Sequence, residues 1–158
     1  MDNSVHIIYR NYKNPLNLKI LINLRNFCKK KGIKLYLSNN FKLALKLQLD
    51  GVYLPSFNKS TIYNCFKFKK NFDVIGSAHN VMELNTKIRQ QVKSIFIAPV
   101  FKKKINKLGI YGFLKFRSFT NRELIVLGGV TSEKMNMINF LNAEGFAAID
   151  YFQKKRPL

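Results

Sequence analysis

The stretch that decides the fold is Glu123–Thr131, Glu-Leu-Ile-Val-Leu-Gly-Gly-Val-Thr, in which an apolar run ends at two glycines. Consecutive aliphatic residues without polar alternation are typical of a parallel strand that is buried on both faces. Gly128 and Gly129 allow a sharp turn and the close approach of a ligand to backbone amides. Thr131 then precedes apolar residues at helical spacing, which predicts a helix that Thr131 caps.

A further apolar run, Gly145–Ile149, begins directly after this predicted helix. Strand, glycine turn, helix and strand together make a βαβ unit, and the turn lies at the carboxyl end of the first strand. Ligands bind at that end in open α/β sheets and in (β/α) barrels. The turn at Gly128 and Gly129 is therefore a candidate binding site.

The same pattern repeats outward from this unit along the whole chain, as short apolar runs that are mostly separated by helical segments. The predicted strands are Val5–Tyr9, Ile33–Leu37, Gly51–Leu54, Phe72–Ile75, Ser94–Val100, Leu124–Leu127 and Gly145–Tyr151. This α/β repeat predicts a (β/α) barrel of the TIM type or an open doubly wound sheet. Since a closed barrel has eight strands, we expect a seven-stranded or N-terminally truncated barrel that lacks a first β/α unit and a last helix.

The bulk composition predicts a single domain over residues 1–158. With 47% hydrophobic residues, a chain of 158 residues can bury one sizeable core and leaves little room for a second. No apolar run approaches the ~18 residues of a membrane span, and the amino terminus lacks the pattern of a signal peptide. We therefore expect a cytoplasmic protein without a membrane partner.

The net charge of +20 predicts nonspecific attraction to polyanions and faster capture of phosphorylated ligands. The lysines are spread along the whole length, as in a chain whose composition is biased throughout. No nucleic-acid recognition motif is visible in the sequence. We expect no specific nucleic-acid partner, and a basic nucleic-acid-binding module is kept as a third functional hypothesis.

The residues at the carboxyl ends of the predicted strands are rich in cations, amides and hydroxyls. They are Arg10, Ser38, Asn39, Asn40, Ser77, His79, Lys102, Lys103, Lys104, Lys107, Gly128, Gly129 and Asp150. Asp150 is the one carboxylate among these residues, so they contain no carboxylate pair. This argues against glycosidase-type acid/base chemistry and against a magnesium cage of several carboxylates. The set suits a phosphate or pyrophosphate ligand, with His79 as a side chain that titrates near neutral pH. The alternative for His79 is a residue that caps the following helix.

Six short motifs in this order resemble the thiamine phosphate synthase/TenI family, and the resemblance extends from about Val5 to Phe152. The motifs are Leu35–Asn40 with Leu43-Ala44, Asp50–Leu54, Gly76–His79, Ala98–Phe101 with Leu108-Gly109, Leu127–Thr131 and Gly145–Ile149. The family is a TIM barrel whose synthase members join hydroxymethylpyrimidine diphosphate to thiazole phosphate, with magnesium, and release pyrophosphate.

The resemblance also implies roles for individual residues. Ser77 and His79 match catalytic positions, and His79 matches a histidine that does acid/base work in TenI-type thiazole tautomerases. The positions with implied substrate-binding roles are Arg10 at the diphosphate, Asn39, Gly128, the amides of Gly129, Ala148 and Ile149 at the thiazole phosphate, and Lys102, Lys103, Lys104 and Lys107 in a basic loop.

Departures from the family pattern weaken the implied magnesium site. The two magnesium-binding aspartates of the family fall on Asn40 and Asn58 in this chain. Amide oxygens still ligate a hard cation, but two negative charges are lost, so we expect a magnesium cofactor that binds with lower affinity. Tyr12 replaces a family lysine, and Asp150 replaces a small hydroxyl residue at the thiazole phosphate end.

The resemblance therefore implies an enzyme of thiamine biosynthesis, a synthase-like transferase that acts on small phosphorylated substrates. The alternative is a TenI-like thiazole tautomerase, or a barrel that binds phosphorylated ligands without catalysis. A seven-stranded barrel would also expose the edges of its first and last strands. We therefore expect either a homodimer that covers those edges or poor solubility.

Overall fold

In the part of the chain that this computed structural model describes, seven parallel strands pair in the order of the sequence. The described residues are 5–12, 15–62, 70–101, 108–149 and 151–152. The strands are β1 (Ile7–Tyr9), β2 (Leu35–Ser38), β3 (Gly51–Leu54), β4 (Asp73–Ala78), β5 (Ser94–Ile97), β6 (Glu123–Leu127) and β7 (Gly145–Ala147). Because neighbouring strands are parallel throughout, all of their carboxyl ends lie at one edge of the sheet.

In the described residues, a helix lies between each pair of consecutive strands except β3 and β4, and these helices cover one face of the sheet. They are α1 (Leu18–Lys31), α2 (Phe41–Lys46), α3 (Val81–Arg89), α4 (Gly109–Ser118) and α5 (Met135–Phe140). Alternate strand residues such as Val52 and Leu124 face these helices and form the larger core with them. Residues on the other face of the strands, Tyr36, Tyr53, Ile75 and Phe96, form a second and smaller core. The sheet is thus curled with helices outside, which confirms the predicted barrel-like α/β fold of seven strands.

The ends of several predicted strands are wrong. β4 continues through Gly76 and Ser77 to Ala78, because these residues stay in register with β5. Glycine and serine are typical turn residues, so the sequence favoured an earlier end. β5 ends at Ile97, before Pro99, since proline has no N–H to donate to a strand ladder. β1 and β2 begin two residues later than predicted, and β7 ends at Ala147.

The predicted capping role of Thr131 is also wrong. Its side chain makes no capping hydrogen bond, and a short 3₁₀ turn, Ser132–Lys134, precedes α5. The backbone carbonyl of Thr131 accepts from the amide of Lys134 at 3.0 Å instead. A tight 3₁₀ turn satisfies its amides through the main chain, so the threonine hydroxyl is not needed there.

Apolar side chains are exposed beside both outer strands of the sheet. Ile20 and Phe27 lie on α1, which follows β1, and each is about half exposed. Phe140 lies on α5, and Phe152 follows β7; they are 73% and 42% exposed. None of the described helices is long and apolar enough to cross a membrane.

We still predict that a second copy of the chain covers these apolar side chains. Light scattering of the purified protein should give about twice the monomer mass of 18.4 kDa. Replacing Ile20 and Phe140 with serine should then shift the mass toward the monomer. A wild type that is monodisperse, soluble and monomeric would contradict the prediction.

Candidate functional site

The carboxyl ends of β1 to β7, with the residues that directly follow them, form one rim of the curled sheet, which we call the mouth. Arg10 follows β1, Asn39 and Asn40 follow β2, and His79 follows β4. The glycine turn follows β6, and Ala148 and Ile149 follow β7. The structure therefore brings these predicted site residues to the same end of the fold. Lys102, Lys103, Lys104, Lys107 and Asp150 lie outside the described residues.

A buried pair of hydroxyl groups lies beneath the mouth. Tyr53 on β3 donates a hydrogen bond of 2.8 Å to the Oγ atom of Ser77 on β4. Burial raises the pKa of Tyr53, and the hydrogen bond with Ser77 and the positive charge of Arg10 partly offset this rise. Arg10 therefore lies close enough to act electrostatically on this pair. Because Ser77 accepts from Tyr53, its own hydroxyl proton remains free to be donated to a ligand.

An exposed aromatic ring lies beside Arg10, and a second exposed ring packs against the first. The guanidinium carbon of Arg10 lies 5.7 Å from the ring centroid of Tyr12, and the ring of Phe57 meets that of Tyr12 edge to face at 5.7 Å. Tyr12 and Phe57 are 52% and 62% exposed. The hydroxyl of Tyr12 is also within 2.7 Å of Ser38 Oγ, which fixes the ring at the end of β2. A cation next to flat apolar surfaces suits a ligand with an anionic group and a planar ring.

The asparagines at the mouth hydrogen-bond to the protein itself. Asn58 donates from Nδ2 to Oδ1 of Asn39 at 2.6 Å, and its own Oδ1 accepts from the amide of Ser60 at 2.9 Å. Asn40 caps α2, because its Oδ1 accepts from the amide of Leu43 at 3.1 Å. Asn39 has a φ of 57°, a left-handed conformation that asparagine tolerates well. The amide oxygens that could face a cation are therefore already acceptors within the protein.

The described side chains do not fit a magnesium cage. Magnesium is usually held by carboxylates and water, and within the described residues no three histidine, cysteine, aspartate or glutamate side chains are grouped to hold a metal. Asp50, Asp73, Glu123 and Glu144 precede or start their strands and so lie at the opposite end from the mouth. A role for Asn40 and Asn58 toward magnesium stays a prediction from the sequence.

His79 forms a polar pair with Glu83. Its Nδ1 atom lies 3.0 Å from Oε2 of Glu83, which also accepts from the backbone amide of His79 at 2.6 Å. The imidazole is about half exposed. The side chain that caps α3 is that of Asn80, which accepts from the amide of Glu83 at 2.9 Å. An imidazole held by a carboxylate through one nitrogen can exchange a proton through the other.

The glycine turn packs against the end of β5. Gly128 and Gly129 have φ values of 95° and 74°, which favour glycine. A Cβ atom on Gly128 would lie 3.0 Å from Cα of Pro99, and the carbonyl of Gly128 accepts from the amide of Phe101 at 2.9 Å. Since β6 pairs with β7, the turn is adjacent to Ala148 and Ile149. These backbone amides therefore lie on neighbouring strand ends, as a single phosphate group would require.

Three polar residues near the mouth are not identifiable as functional from the sequence, namely Tyr53, Lys87 and Gln90. Tyr53 is a polar residue inside the predicted third strand, and its hydrogen-bond partner is 24 residues away. Lys87 lies on the apolar face of α3, three residues after Leu84, and its side chain is fully buried. A lysine at an inward helical position was the available signal for Lys87. Gln90 follows α3 and gave no such signal.

Comparisons with known proteins agree with this geometry. A family model described as thiamine monophosphate synthase matches residues 4–152. A putative thiamine-phosphate synthase 2 of Aquifex aeolicus is 28% identical over 140 residues, which are 85% of this chain and 74% of that protein. A thiamine-phosphate synthase of Prochlorococcus marinus is 26% identical over 155 residues, which are 92% of this chain and 42% of that protein.

Solved structures show the same fold at low sequence identity. A thiamine phosphate pyrophosphorylase from Pyrococcus furiosus superposes with a TM-score of 0.73 and 17% identity, over 88% of this chain and 70% of that one. Another, from Bacteroides thetaiotaomicron, gives a TM-score of 0.66 and 15% identity, over 96% and 73% of the two chains. The curled parallel sheet is thus a known architecture.

Proposed function

Because the chain belongs to the thiamine monophosphate synthase family, we propose that its mouth joins hydroxymethylpyrimidine diphosphate to thiazole phosphate. The observation that carries the proposal is the position of Arg10, which acts electrostatically on the buried Tyr53–Ser77 pair and lies 5.7 Å from the exposed ring of Tyr12. Both substrates are phosphorylated and would not cross a membrane unaided, so we place the reaction in the cytoplasm.

In this reaction the bond between the methylene carbon of the pyrimidine and a diphosphate oxygen breaks. The thiazole nitrogen forms the new bond to that carbon, and pyrophosphate leaves with the electron pair. Negative charge therefore grows on the leaving group in the transition state, where a fixed cation stabilises it more than in the ground state. Arg10 is the described cation that we assign to this task.

The remaining residues bind and orient the substrates. Ser77 donates its hydroxyl proton to a diphosphate oxygen, since Tyr53 occupies one of its acceptor positions. The rings of Tyr12 and Phe57 contact the pyrimidine ring, and the amides of Gly129 and Ile149 bind the thiazole phosphate. Magnesium carried with the diphosphate would add positive charge, but the described residues provide no cage for it.

A second candidate activity is thiazole tautomerisation, and the His79–Glu83 pair favours it. A half-exposed imidazole whose Nδ1 contacts a carboxylate at 3.0 Å is suited to take a proton from one position of a ring and return it at another. This activity would need only the thiazole phosphate and would release no pyrophosphate.

Genetic complementation tests the proposed synthase activity. The chain should restore growth without thiamine to a bacterium whose own thiamine phosphate synthase gene is deleted. The Arg10→Ala variant should fail, whereas His79→Ala should still complement. If the wild type fails although it accumulates as folded protein, and the purified chain converts the thiazole phosphate isomers through His79, the tautomerase replaces the synthase as the proposed function.

A further inference from the structure

A buried lysine joins α3 to the loop that follows β3. The Nζ atom of Lys87 donates to the backbone carbonyls of Pro55 and Asn58 at 2.8 and 2.9 Å, and to Oε1 of Gln90 at 2.8 Å. Its side chain is 0% exposed. The two carbonyls lie in residues 55–60, which we call the 55–60 segment.

Gln90 completes the connection to this segment. Its Nε2 atom donates to the carbonyls of Asn58 and Ser60 at 3.0 and 2.8 Å, and it lies 3.2 Å from Oδ1 of Asn58. The backbone of the segment is therefore held by two side chains from α3 and its carboxyl end. These residues are about 30 positions away in sequence.

Space for the lysine is provided by a glycine in β4. A Cβ atom at Gly76 would lie 2.8 Å from Cδ of Lys87, so a larger residue there would displace the lysine stem. Burial lowers the pKa of Lys87 to about 8, and the carboxylate of Glu83 opposes this shift. A buried charge is costly even when hydrogen-bonded, so its presence here points to a role beyond filling the core.

The 55–60 segment carries two residues that reach the mouth. Phe57 contacts the ring of Tyr12, which stands beside Arg10, and Asn58 donates to Asn39 at 2.6 Å. The connection from Lys87 thus runs through the segment to side chains at the carboxyl ends of β1 and β2. Without it, the segment would keep the backbone bond from the amide of Asn58 to the carbonyl of Pro55.

We propose that Lys87, with Gln90, is a positioning residue that holds the 55–60 segment so that Phe57 and Asn58 are placed for the diphosphate substrate. The proposal rests on the proposed function for the identity of that substrate. Lys87 does not touch the substrate and acts through the segment.

The test uses variants that remove the connection while keeping side-chain volume. Lys87→Met removes the donors, and Gln90→Leu breaks the second set of bonds and leaves the lysine in place. Lys115→Met, at an exposed position on α4, is the matched control. In both connection variants, amide hydrogen exchange at Asn58 and Ser60 should be at least about tenfold faster than in the wild type, with the strands unchanged.

A second measurement follows ligand binding. Because Asn58 holds the predicted substrate-binding residue Asn39, the Kd for inorganic pyrophosphate should rise about tenfold in Lys87→Met and in Gln90→Leu. It should not change in Lys115→Met. In steady-state kinetics of Lys87→Met and Gln90→Leu, the KM for the pyrimidine diphosphate should rise, and the KM for the thiazole phosphate should not. A purely structural role would not separate the two substrates in this way.

The inference is overturned if amide hydrogen exchange at Asn58 and Ser60 is the same in the wild type and in all three variants. It is also overturned if exchange in the connection variants is faster across the whole chain. So would a pyrophosphate Kd that stays at the wild-type value when exchange in the segment rises. If Lys87→Met does not fold, Gln90→Leu decides between these outcomes. The proposed function and the positioning role can also fail separately. If the wild type binds no pyrophosphate, the proposed function is refuted. If exchange in the variants is then still faster in the segment alone, the positioning of the segment by Lys87 remains supported.

Discussion

Arg10→Ala should lower kcat/KM for thiamine phosphate formation roughly 30- to 1,000-fold, which is about 2–4 kcal/mol of transition-state stabilisation. The reason is that Arg10 is the cation beside the buried Tyr53–Ser77 pair, where pyrophosphate would gain charge as it leaves. Alanine removes the charge and a flat group next to Tyr12. The loss should appear in kcat as well as in KM, since the charge develops in the transition state.

Arg117→Ala is the matched control for this variant. Arg117 binds Glu144 at 3.0 Å near the start of β7, at the end of the fold opposite the mouth. Steady-state kinetics of Arg117→Ala should give kcat/KM within about twofold of the wild type, as expected when the substrates are not contacted. Similar losses in both variants, or a wild-type value in Arg10→Ala, would contradict the role of Arg10.

Replacing Asn40 and Asn58 with aspartate should lower the magnesium concentration for half-maximal activity about tenfold or more, because two carboxylates add hard, charged ligands. The backbone tolerates the change. Asp at position 40 can still accept the capping hydrogen bond from Leu43, and Asp at position 58 can still accept from Ser60. The bond that Asn58 donates to Asn39 is lost. Activity against magnesium concentration for Asn40→Asp with Asn58→Asp measures the effect.

The control adds the same charge elsewhere on the chain. Asn85→Asp with Asn139→Asp places two carboxylates at exposed positions on α3 and α5. Its magnesium dependence should match that of the wild type. If both double variants shift alike, the change reflects net charge rather than a site at Asn40 and Asn58.

The elements that could be predicted from the sequence are those specified by local residues. Gly32 ends α1 with a φ of 67°, and the lysines before it lie in the last helical turn, so the end of α1 follows from its own sequence. β6 was predicted from its uninterrupted aliphatic run. β4 was predicted too short because pairing with β5, a tertiary contact, keeps Gly76 and Ser77 extended.

In the candidate site, too, some features follow from local sequence and others depend on tertiary contacts. The grouping of Arg10, Ser77 and Gly128 could be predicted, because parallel strands bring their carboxyl ends together. The bond between Tyr53 and Ser77 and the connection from Lys87 to the 55–60 segment could not. They join residues 24 to 32 positions apart and depend on how the strands and α3 pack. No local pattern in one sequence specifies such contacts.

The most direct test of synthase activity at this mouth is a product assay by phosphorus NMR with the purified chain, both substrates and a series of magnesium concentrations. Thiamine phosphate and pyrophosphate should appear in equal amounts when both substrates are present, and neither should appear when one substrate is left out. If the wild type and the double aspartate variant form no thiamine phosphate at any magnesium concentration, the synthase activity is contradicted.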